Sequence, residues 1–142
     1  MKNTLRIFLL AAAVLIGIAA GARSTKGQKV GVDFETTVYE FGNVSEEGEP
    51  VRHTFSYTNT GNSPLAILWA KASCGCTTPE YQRKPLKPGE KADIKVTFNP
   101  KGQAGEVNKD IRIRFRNGNG KSEEIVLHLK GAVVPKGKNA AK

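Results

Sequence analysis

The sequence predicts an all-β protein folded as an antiparallel β-sandwich of about seven strands. Short segments that alternate apolar and polar residues recur between residues 30 and 134, and turns rich in glycine, proline and asparagine separate them. No segment shows a convincing helical spacing of its apolar residues. One domain is therefore expected over residues 30–134, a length that can bury a core without disulfides or metals.

The first half of this domain contains four strand-like segments. Two short ones, Val30–Phe34 and Thr37–Phe41, open it, and Val51–Thr58 then alternates strictly, as a half-buried strand does. The fourth segment, Leu65–Ala70, is apolar on both faces, which favours a central strand covered on each side or a strand in the middle of a sandwich. Its Trp69 is expected in the core, where an immunoglobulin-like domain often places a large aromatic residue.

The second half continues the same pattern. Ala92–Phe98 and Asp110–Arg116 alternate, and Asn117–Gly120 is a strong hairpin signal that pairs the second of them with Glu124–Lys130. The side chains that face inward under this reading contribute about 1.5–3 kcal/mol each on full burial. The predicted core consists of Phe55, Tyr57, Ile67, Trp69, Ile94, Val96, Phe98, Ile111, Ile113, Phe115, Ile125, Leu127 and Leu129.

The start of the chain predicts export. Lys2 and Arg6 precede the apolar run Ile7–Ala20, and Ala20-Gly21-Ala22 supplies the small residues of a cleavage site. This order of features is typical of a secretory signal peptide, here residues 1–22. The apolar run is shorter than the roughly 20 residues that a spanning helix needs. We therefore expect a periplasmic or secreted protein with no stable membrane span after cleavage.

The charge of the mature chain is positive and scattered. Without Lys2 and Arg6, 20 basic residues face 13 acidic ones, which gives a net charge of +7. Positive charge favours acidic partners, although export argues against nucleic acid. Residues 23–29 are expected to be a flexible N-terminal segment and residues 135–142 a basic disordered tail. The expected partner is a cell-envelope protein or polysaccharide.

Four short motifs carry a resemblance to a known family. They are Phe41-Gly42, Thr58–Gly61 ("TNTG"), Cys74–Thr77 ("CGCT") and Phe98–Pro100 ("FNP"), and they lie between Val38 and Val133. Over this stretch the chain resembles the bacterial domain-of-unknown-function family 1573, a relative of the Hydin-type and major-sperm-protein immunoglobulin-like domains. The resemblance implies an exported immunoglobulin-like β-sandwich and implies no known activity.

The two cysteines, Cys74 and Cys76, are separated by Gly75 and admit several interpretations. As a structural disulfide the pair is weak, because a three-residue loop contributes only about 1.6 kcal/mol in the loop-entropy model. Residues i and i+2 of a strand also lie near the upper limit of the accepted Cα separation, so Gly75 would have to bend the chain. An easily reduced disulfide of this kind is instead a candidate for thiol exchange with other proteins.

A metal site is a further interpretation of the cysteine pair. Two thiolates with His53 and His128 would supply the sulfur and nitrogen ligands of a zinc or copper site. The two histidines alternate with opposite faces of their strands, so we do not expect them to converge. His53 is expected to be a hydrogen-bonded core residue and His128 a surface residue. The remaining interpretation is packing alone, with Cys74 and Cys76 on one face of a strand, since cysteine often behaves as a small buried apolar residue.

The arginines Arg112, Arg114 and Arg116 form a predicted outward stripe that can bind anions. We favour a solvated face, with Glu123 and Glu124 across the hairpin as ion-pair partners.

No catalytic motif, phosphate-binding loop or paired-carboxylate pattern is present in the sequence, and no cofactor is expected. The sequence therefore predicts a binding or scaffolding module of the bacterial cell envelope and not an enzyme. The alternative is a thiol-exchange or metal-handling protein that uses Cys74-Gly75-Cys76.

Overall fold

The computed structural model describes residues 30–137, so the predicted signal peptide, the segment 23–29 and residues 138–142 of the tail lie outside the described residues. Within that range no helix has the length and hydropathy needed to cross a membrane. Eight strands follow one another along the chain: β1 (Val32–Phe34), β2 (Val38–Ser45), β3 (Val51–Asn59), β4 (Leu65–Ala72), β5 (Thr77–Tyr81), β6 (Lys91–Phe98), β7 (Gly105–Asn117) and β8 (Ser122–Val134).

The strands form two four-stranded sheets that pack face to face, which confirms the predicted sandwich. Sheet A has the order β1-β3-β6-β5, and sheet B has the order β2-β8-β7-β4. Two details differ from the prediction. Sheet B is mixed, because β2 runs parallel to β8. An eighth strand, β5, is not predicted from the sequence, because β5 contains Pro79 and shows little apolar alternation. The proline is tolerated because β5 lies at the edge of sheet A.

Inward-facing side chains of both sheets form one core. Every predicted core residue is buried except Trp69 and Ile125, and Ile125 still packs partly buried against the cluster. Phe55, Phe98 and Phe115 are fully buried and lie on β3, β6 and β7. The buried apolar set also includes Val30, Leu65, Leu86, Val107 and Val133. Burial of apolar area therefore joins the sheets along most of their length.

The prediction for Trp69 and its strand is wrong, and a β-bulge is the reason. Leu65 and Ile67 face the core, but the register with β7 shifts between Ile67 and Trp69. The extra residue, Leu68, reverses the alternation, so Ala70 and Ala72 pack inward while Trp69 faces out. β4 is also an edge strand of sheet B and not a central one, because only β7 lies beside it in the sheet.

Asn59 of the "TNTG" motif is a fully buried polar residue whose side chain joins two connections. Its Nδ2 donates to the carbonyl oxygens of Ser63 and Leu86, both at 2.9 Å, and its Oδ1 accepts from the Gly61 amide at 3.0 Å. Its backbone amide donates to the Glu90 oxygen at 3.0 Å. A single side chain thus fixes the β3–β4 turn against the β5–β6 loop.

Gly31, before β1, packs against the same turn. The amides of Thr60 and Gly61 both donate to the Gly31 oxygen, at 2.8 and 3.2 Å. Gly31 has a φ of +72°, and a Cβ there would lie 2.6 Å from the Gly61 Cα. Only glycine permits both this conformation and this approach of the two backbones. The start of the domain therefore rests on the turn that Asn59 shapes.

The Phe41-Gly42 motif connects the two sheets at β2, the edge strand of sheet B that lies opposite β4. The ring of Phe41 stacks on Phe98 with centroids 5.4 Å apart, so β2 contacts a core residue of sheet A. Gly42 has a φ of +70° in the bulge of β2, and a Cβ at Gly131 would overlap the Phe41 ring. The glycines allow the aromatic side chain to reach between the sheets.

We predict that Asn59→Ala lowers the free energy of unfolding by about 1–3 kcal/mol, because the fully buried side chain makes three hydrogen bonds and the Ser63 carbonyl loses its bond to Asn59. The Leu86 carbonyl and the Gly61 amide each keep a second partner, the Leu65 amide and the Gly31 oxygen. Urea unfolding measures this change. Asn119→Ala is the matched control, since the exposed Asn119 amide makes one 3.4 Å bond to Asn62, and we expect a change within about 0.5 kcal/mol. Equal effects of the two substitutions would contradict the role of Asn59.

Candidate functional site

The cysteine pair lies in the turn that carries the chain from sheet B to sheet A, between β4 and β5. The interpretation that places Cys74 and Cys76 on one face of a strand is therefore wrong. The amide of Ser73 donates to the Asp110 oxygen of β7 at 2.8 Å, and the amide of Asn99 donates to the Cys76 oxygen at 2.8 Å. Backbone hydrogen bonds thus anchor the turn to both sheets.

Cys74 and Cys76 are joined by a disulfide with a Cα–Cα separation of 5.3 Å, within the range that disulfides accept. The turn at Gly75 brings the two Cα atoms to this distance, as the sequence required. Both cysteines are half-exposed, and a Cβ at Gly75 would meet only open space. The buried Thr77 hydroxyl lies 3.7 Å from the Cys74 sulfur and 3.8 Å from the Cys76 sulfur, so it can donate weakly to either.

The two histidines are separated, as predicted. His53 lies on the inner face of sheet A and stacks on Tyr39 with ring centroids 3.8 Å apart. His128 pairs through Nδ1 with the Asp110 carboxylate at 2.8 Å on the outer face of sheet B. Across residues 30–137, no three His, Cys, Asp or Glu side chains group closely enough to hold a metal ion. The ligand set imagined for a metal site is therefore not assembled.

His53 is not the hydrogen-bonded core histidine that the sequence predicts. Its Nε2 is buried without a hydrogen-bond partner, between the stacked ring of Tyr39 and the edge-on ring of Phe55. Burial lowers the pKa of His53, because the charged form loses hydration in this aromatic environment. The residue therefore acts as a neutral aromatic contact between the sheets.

Outside the turn, aromatic and basic side chains gather on the outer face of sheet B. We name Trp69, Lys71, Arg112, Arg114 and Arg116 the basic face. In the β4–β7 register, Lys71 lies opposite Arg112, and Trp69 lies opposite Arg114. The Lys71 Nζ lies 5.4 Å from the centre of the Trp69 ring, a cation–π contact. The arginine stripe is therefore part of a larger surface that reaches the edge of the sheet.

The predicted ion pairs of the arginine stripe do not form. Glu124 lies opposite Arg114 in the ladder, whereas Glu123 lies opposite the buried Phe115. None of the ion pairs found among residues 30–137 includes an arginine. The guanidinium groups consequently keep their hydrogen-bonding capacity for a partner.

A shallow groove of about 320 Å³ runs along this surface. Its walls come from β4, β7 and β8 and from Ser73, the first residue of the disulfide turn. The groove is lined by Trp69, Lys71, Ser73, Asp110, Arg112 and Glu124.

The free edge of β4 lies beside the groove. Leu65 pairs its backbone amide and oxygen with Leu86, at 2.9 and 2.7 Å, so the start of the edge is covered. Among the described residues nothing else pairs with this side of the strand. Leu68, at the bulge, is 48% exposed and is one of two large apolar side chains left exposed there. Sequence reasoning missed Leu68, because an apolar run does not reveal where its register shifts.

Comparison with known proteins supports the fold. The family described as "Protein of unknown function (DUF1573)" matches residues 32–133. No curated protein matches the chain by sequence. The PapD-like domain 7 of human CEP192 is 14% identical and superimposes with a TM-score of 0.59, over 75% of this chain and 87% of that one. WR4, a C. elegans member of the MSP family, is 15% identical with a TM-score of 0.55, over 72% and 99%.

A further similar structure is the VesB protease of Vibrio cholerae, 15% identical with a TM-score of 0.58. The match covers 72% of this chain but only 32% of the protease, so the chain spans about a third of that protein. At these identities the likeness shows the fold alone. The immunoglobulin-like sandwich is confirmed, and structures with a similar fold include a PapD-like domain and a member of the MSP family.

We predict that replacing both cysteines, as Cys74→Ser with Cys76→Ser, lowers the free energy of unfolding by no more than about 2 kcal/mol, because the closed loop holds only three residues. Urea unfolding of the variant and of the wild type, with and without reductant, measures the difference. Loss of the cooperative transition on reduction would contradict this prediction and make the bond essential to the fold.

The lowered pKa of His53 predicts a loss of stability in acid. His53 binds a proton near pH 6.5 in the unfolded chain but only at lower pH in the folded chain. The contribution of neutral His53 to the free energy of unfolding is therefore present above pH 6.5 and is lost as the pH drops below that value. We expect His53→Phe, which keeps an aromatic ring against Tyr39, to flatten the dependence of Tm on pH between about pH 7 and 5. Identical slopes for the variant and the wild type would disprove this assignment.

Proposed function

This chain belongs to the DUF1573 family of proteins of unknown function, and from that premise we propose that it is an immunoglobulin-like module that binds a protein of the bacterial cell envelope. The family assigns no chemistry, so the surface features of the domain carry the proposal. The partner contributes an extended segment that adds to the free edge of β4, as strand addition does in other peptide-binding folds.

The observation that carries the proposal is an edge strand with an exposed apolar side chain. An edge presents unpaired backbone groups, and proteins usually protect it with short strands, proline, bulges or charges. β1 has three residues, β5 contains Pro79, and the bulge of β2 divides that strand at Gly42. β4 has a bulge and carries Lys71, but the bulge also exposes the apolar side chain of Leu68 at the edge.

The regular part of β4 that remains after the bulge is Trp69–Ala72. In an antiparallel ladder, facing pairs that exchange backbone hydrogen bonds alternate with facing pairs that do not. Because the Ser73 amide bonds to the Asp110 oxygen of β7, the next pairs without such bonds are those of Ala72 and Ala70, whose backbone groups point away from β7. An added segment therefore forms a few backbone hydrogen bonds, and the exposed Leu68 side chain supplies apolar contact at one end. This combination gives a short docking edge of modest affinity.

The location and the lack of an enzymatic role belong to the same proposal. The signal-peptide pattern of residues 1–22 supports a periplasmic or secreted protein. The sequence carries no catalytic motif, which supports a binding role. N-terminal sequencing of the exported protein tests cleavage near Ala22, and retention of Met1 in the mature protein would contradict export by this route.

Thiol exchange at Cys74–Cys76 is a second candidate, favoured by the half-exposed disulfide at a surface turn. In this reaction a partner thiolate attacks one sulfur, the other leaves as a thiolate, and a second partner thiol completes oxidation of the partner and reduction of the pair. Free-thiol titration of protein purified from the envelope tests it. If Cys74 and Cys76 remain fully oxidised in the presence of a partner that carries two free thiols, thiol exchange is not the function of this pair.

We predict that Leu68→Gln weakens capture of the envelope partner about tenfold or more, because burying a leucine side chain contributes roughly 1.5–3 kcal/mol. The measurement is quantitative pull-down from an envelope extract with immobilised domain. Val38→Gln is the matched control, since Val38 is the other exposed large apolar residue, 37% exposed, and lies on β2 at the opposite edge of sheet B. We expect Val38→Gln to leave capture unchanged.

Both variants should keep the wild-type Tm, because each replaces an exposed side chain. If Leu68→Gln and Val38→Gln capture the same proteins in the same amounts as the wild type, binding at the β4 edge is wrong.

A further inference from the structure

The basic face lies beside the edge that the proposed function uses, and the two features together define the partner. We propose that the segment added to β4 is acidic, an extended peptide with carboxylates at alternate positions; this inference rests on the proposed function. Its outward side chains lie next to the outward side chains of β4, which are Trp69 and Lys71. Directly opposed residues of neighbouring strands have Cβ atoms about 4.5–5.5 Å apart, so a carboxylate can pair with Lys71.

The cations behind β4 extend this preference. Arg112 lies opposite Lys71 and Arg114 opposite Trp69, one strand further from the edge. A guanidinium group at that distance can reach a carboxylate on an added strand, in the bidentate geometry that arginine favours. The side chains of Lys71 and Arg112 are exposed, and both line the groove.

Few anions oppose this charge. Asp110, which is hydrogen-bonded to His128 at 2.8 Å, and Glu124 are the two carboxylates that line the groove. The basic face itself carries four cations, Lys71, Arg112, Arg114 and Arg116. An acidic segment therefore completes a charge arrangement that the described part of the domain leaves unbalanced.

The position of Lys71 also discriminates between partners. A lysine on an edge strand discourages pairing with a second copy of the same strand, because two basic faces would meet. Its ammonium group lies over the Trp69 ring, so that face of the indole is not open as a stacking platform for a sugar. Backbone groups at the edge and cations on the face match an acidic peptide better than an acidic polysaccharide.

Three capped peptides of one length test the proposal. The first alternates glutamate with valine, the second replaces each glutamate by glutamine, and the third by lysine. Fluorescence anisotropy with the full mature chain gives each affinity at low and at physiological ionic strength. We expect the acidic peptide to bind about tenfold tighter than the glutamine peptide, the lysine peptide to bind weakest, and the preference to shrink with salt.

Charge reversal gives the matched comparison. Lys71→Glu with Arg112→Glu should reverse the order of the acidic and lysine peptides. Arg52→Glu with Lys95→Glu makes the same change of charge at exposed positions of sheet A and should keep the wild-type order. If either variant fails to keep the wild-type Tm, the salt dependence of peptide binding by the wild-type chain tests the acidic preference without any substitution.

The outcomes separate this inference from the function on which it rests. Equal binding of the acidic and glutamine peptides, with loss of both on Leu68→Gln, overturns the acidic preference and leaves strand addition intact. An acidic peptide N-methylated at alternate amides keeps its charge but loses backbone donors. If it binds as tightly as its parent, strand addition itself is wrong. Binding of polygalacturonate without binding of any peptide would overturn both and assign the face to a polysaccharide.

Discussion

The hydrogen-bonded side chain of Asn59 is the constraint on which the two-sheet arrangement depends. The apolar core makes the sheets adhere, but burial is non-directional and does not fix how the connections cross between them. Asn59 lies at the end of β3 and bonds to both Ser63 and Leu86, so it ties the turn that leads into sheet B to the β5–β6 loop of sheet A. A buried polar group with all its bonds made specifies one arrangement, because every alternative leaves it unsatisfied. The docking of Gly31 on Gly61 extends the same constraint to β1.

The Phe41-Gly42 and Cys74–Thr77 motifs also stabilise the structure locally. Phe41 reaches Phe98 across the sandwich because Gly131 leaves room for its ring, while Gly42 adopts the positive φ of the bulge. The disulfide turn is anchored by backbone bonds from Ser73 and Asn99, and the three-residue loop that the disulfide closes removes little conformational entropy from the unfolded chain. The motif residues that identify the family therefore explain its architecture, and they leave its binding chemistry to surface residues outside the motifs.

That surface follows from one irregularity. The bulge at Leu68 exposes an apolar side chain at the sheet edge and turns Trp69 and Lys71 toward the arginines of β7. Without the bulge, Trp69 would enter the core and the outer face would lose its aromatic residue. Bulges often re-aim side chains near functional sites, and this one brings an open backbone edge, an apolar anchor and several cations together. A short edge of this kind binds weakly by backbone bonds alone, so charge complementarity supplies selectivity.

The sequence by itself determined the sandwich, its core and most of its strands, because period-two alternation in segments such as Asp110–Arg116 records directly which side chains face inward. It also determined that the arginines of β7 face outward and that His53 and His128 lie apart. Tertiary structure alone decided that β2 lies parallel to β8, that Pro79 lies in an edge strand, and that Trp69 faces solvent. These features depend on which strands become neighbours and where a register slips by one residue, and such long-range pairings leave no periodic trace in the chain.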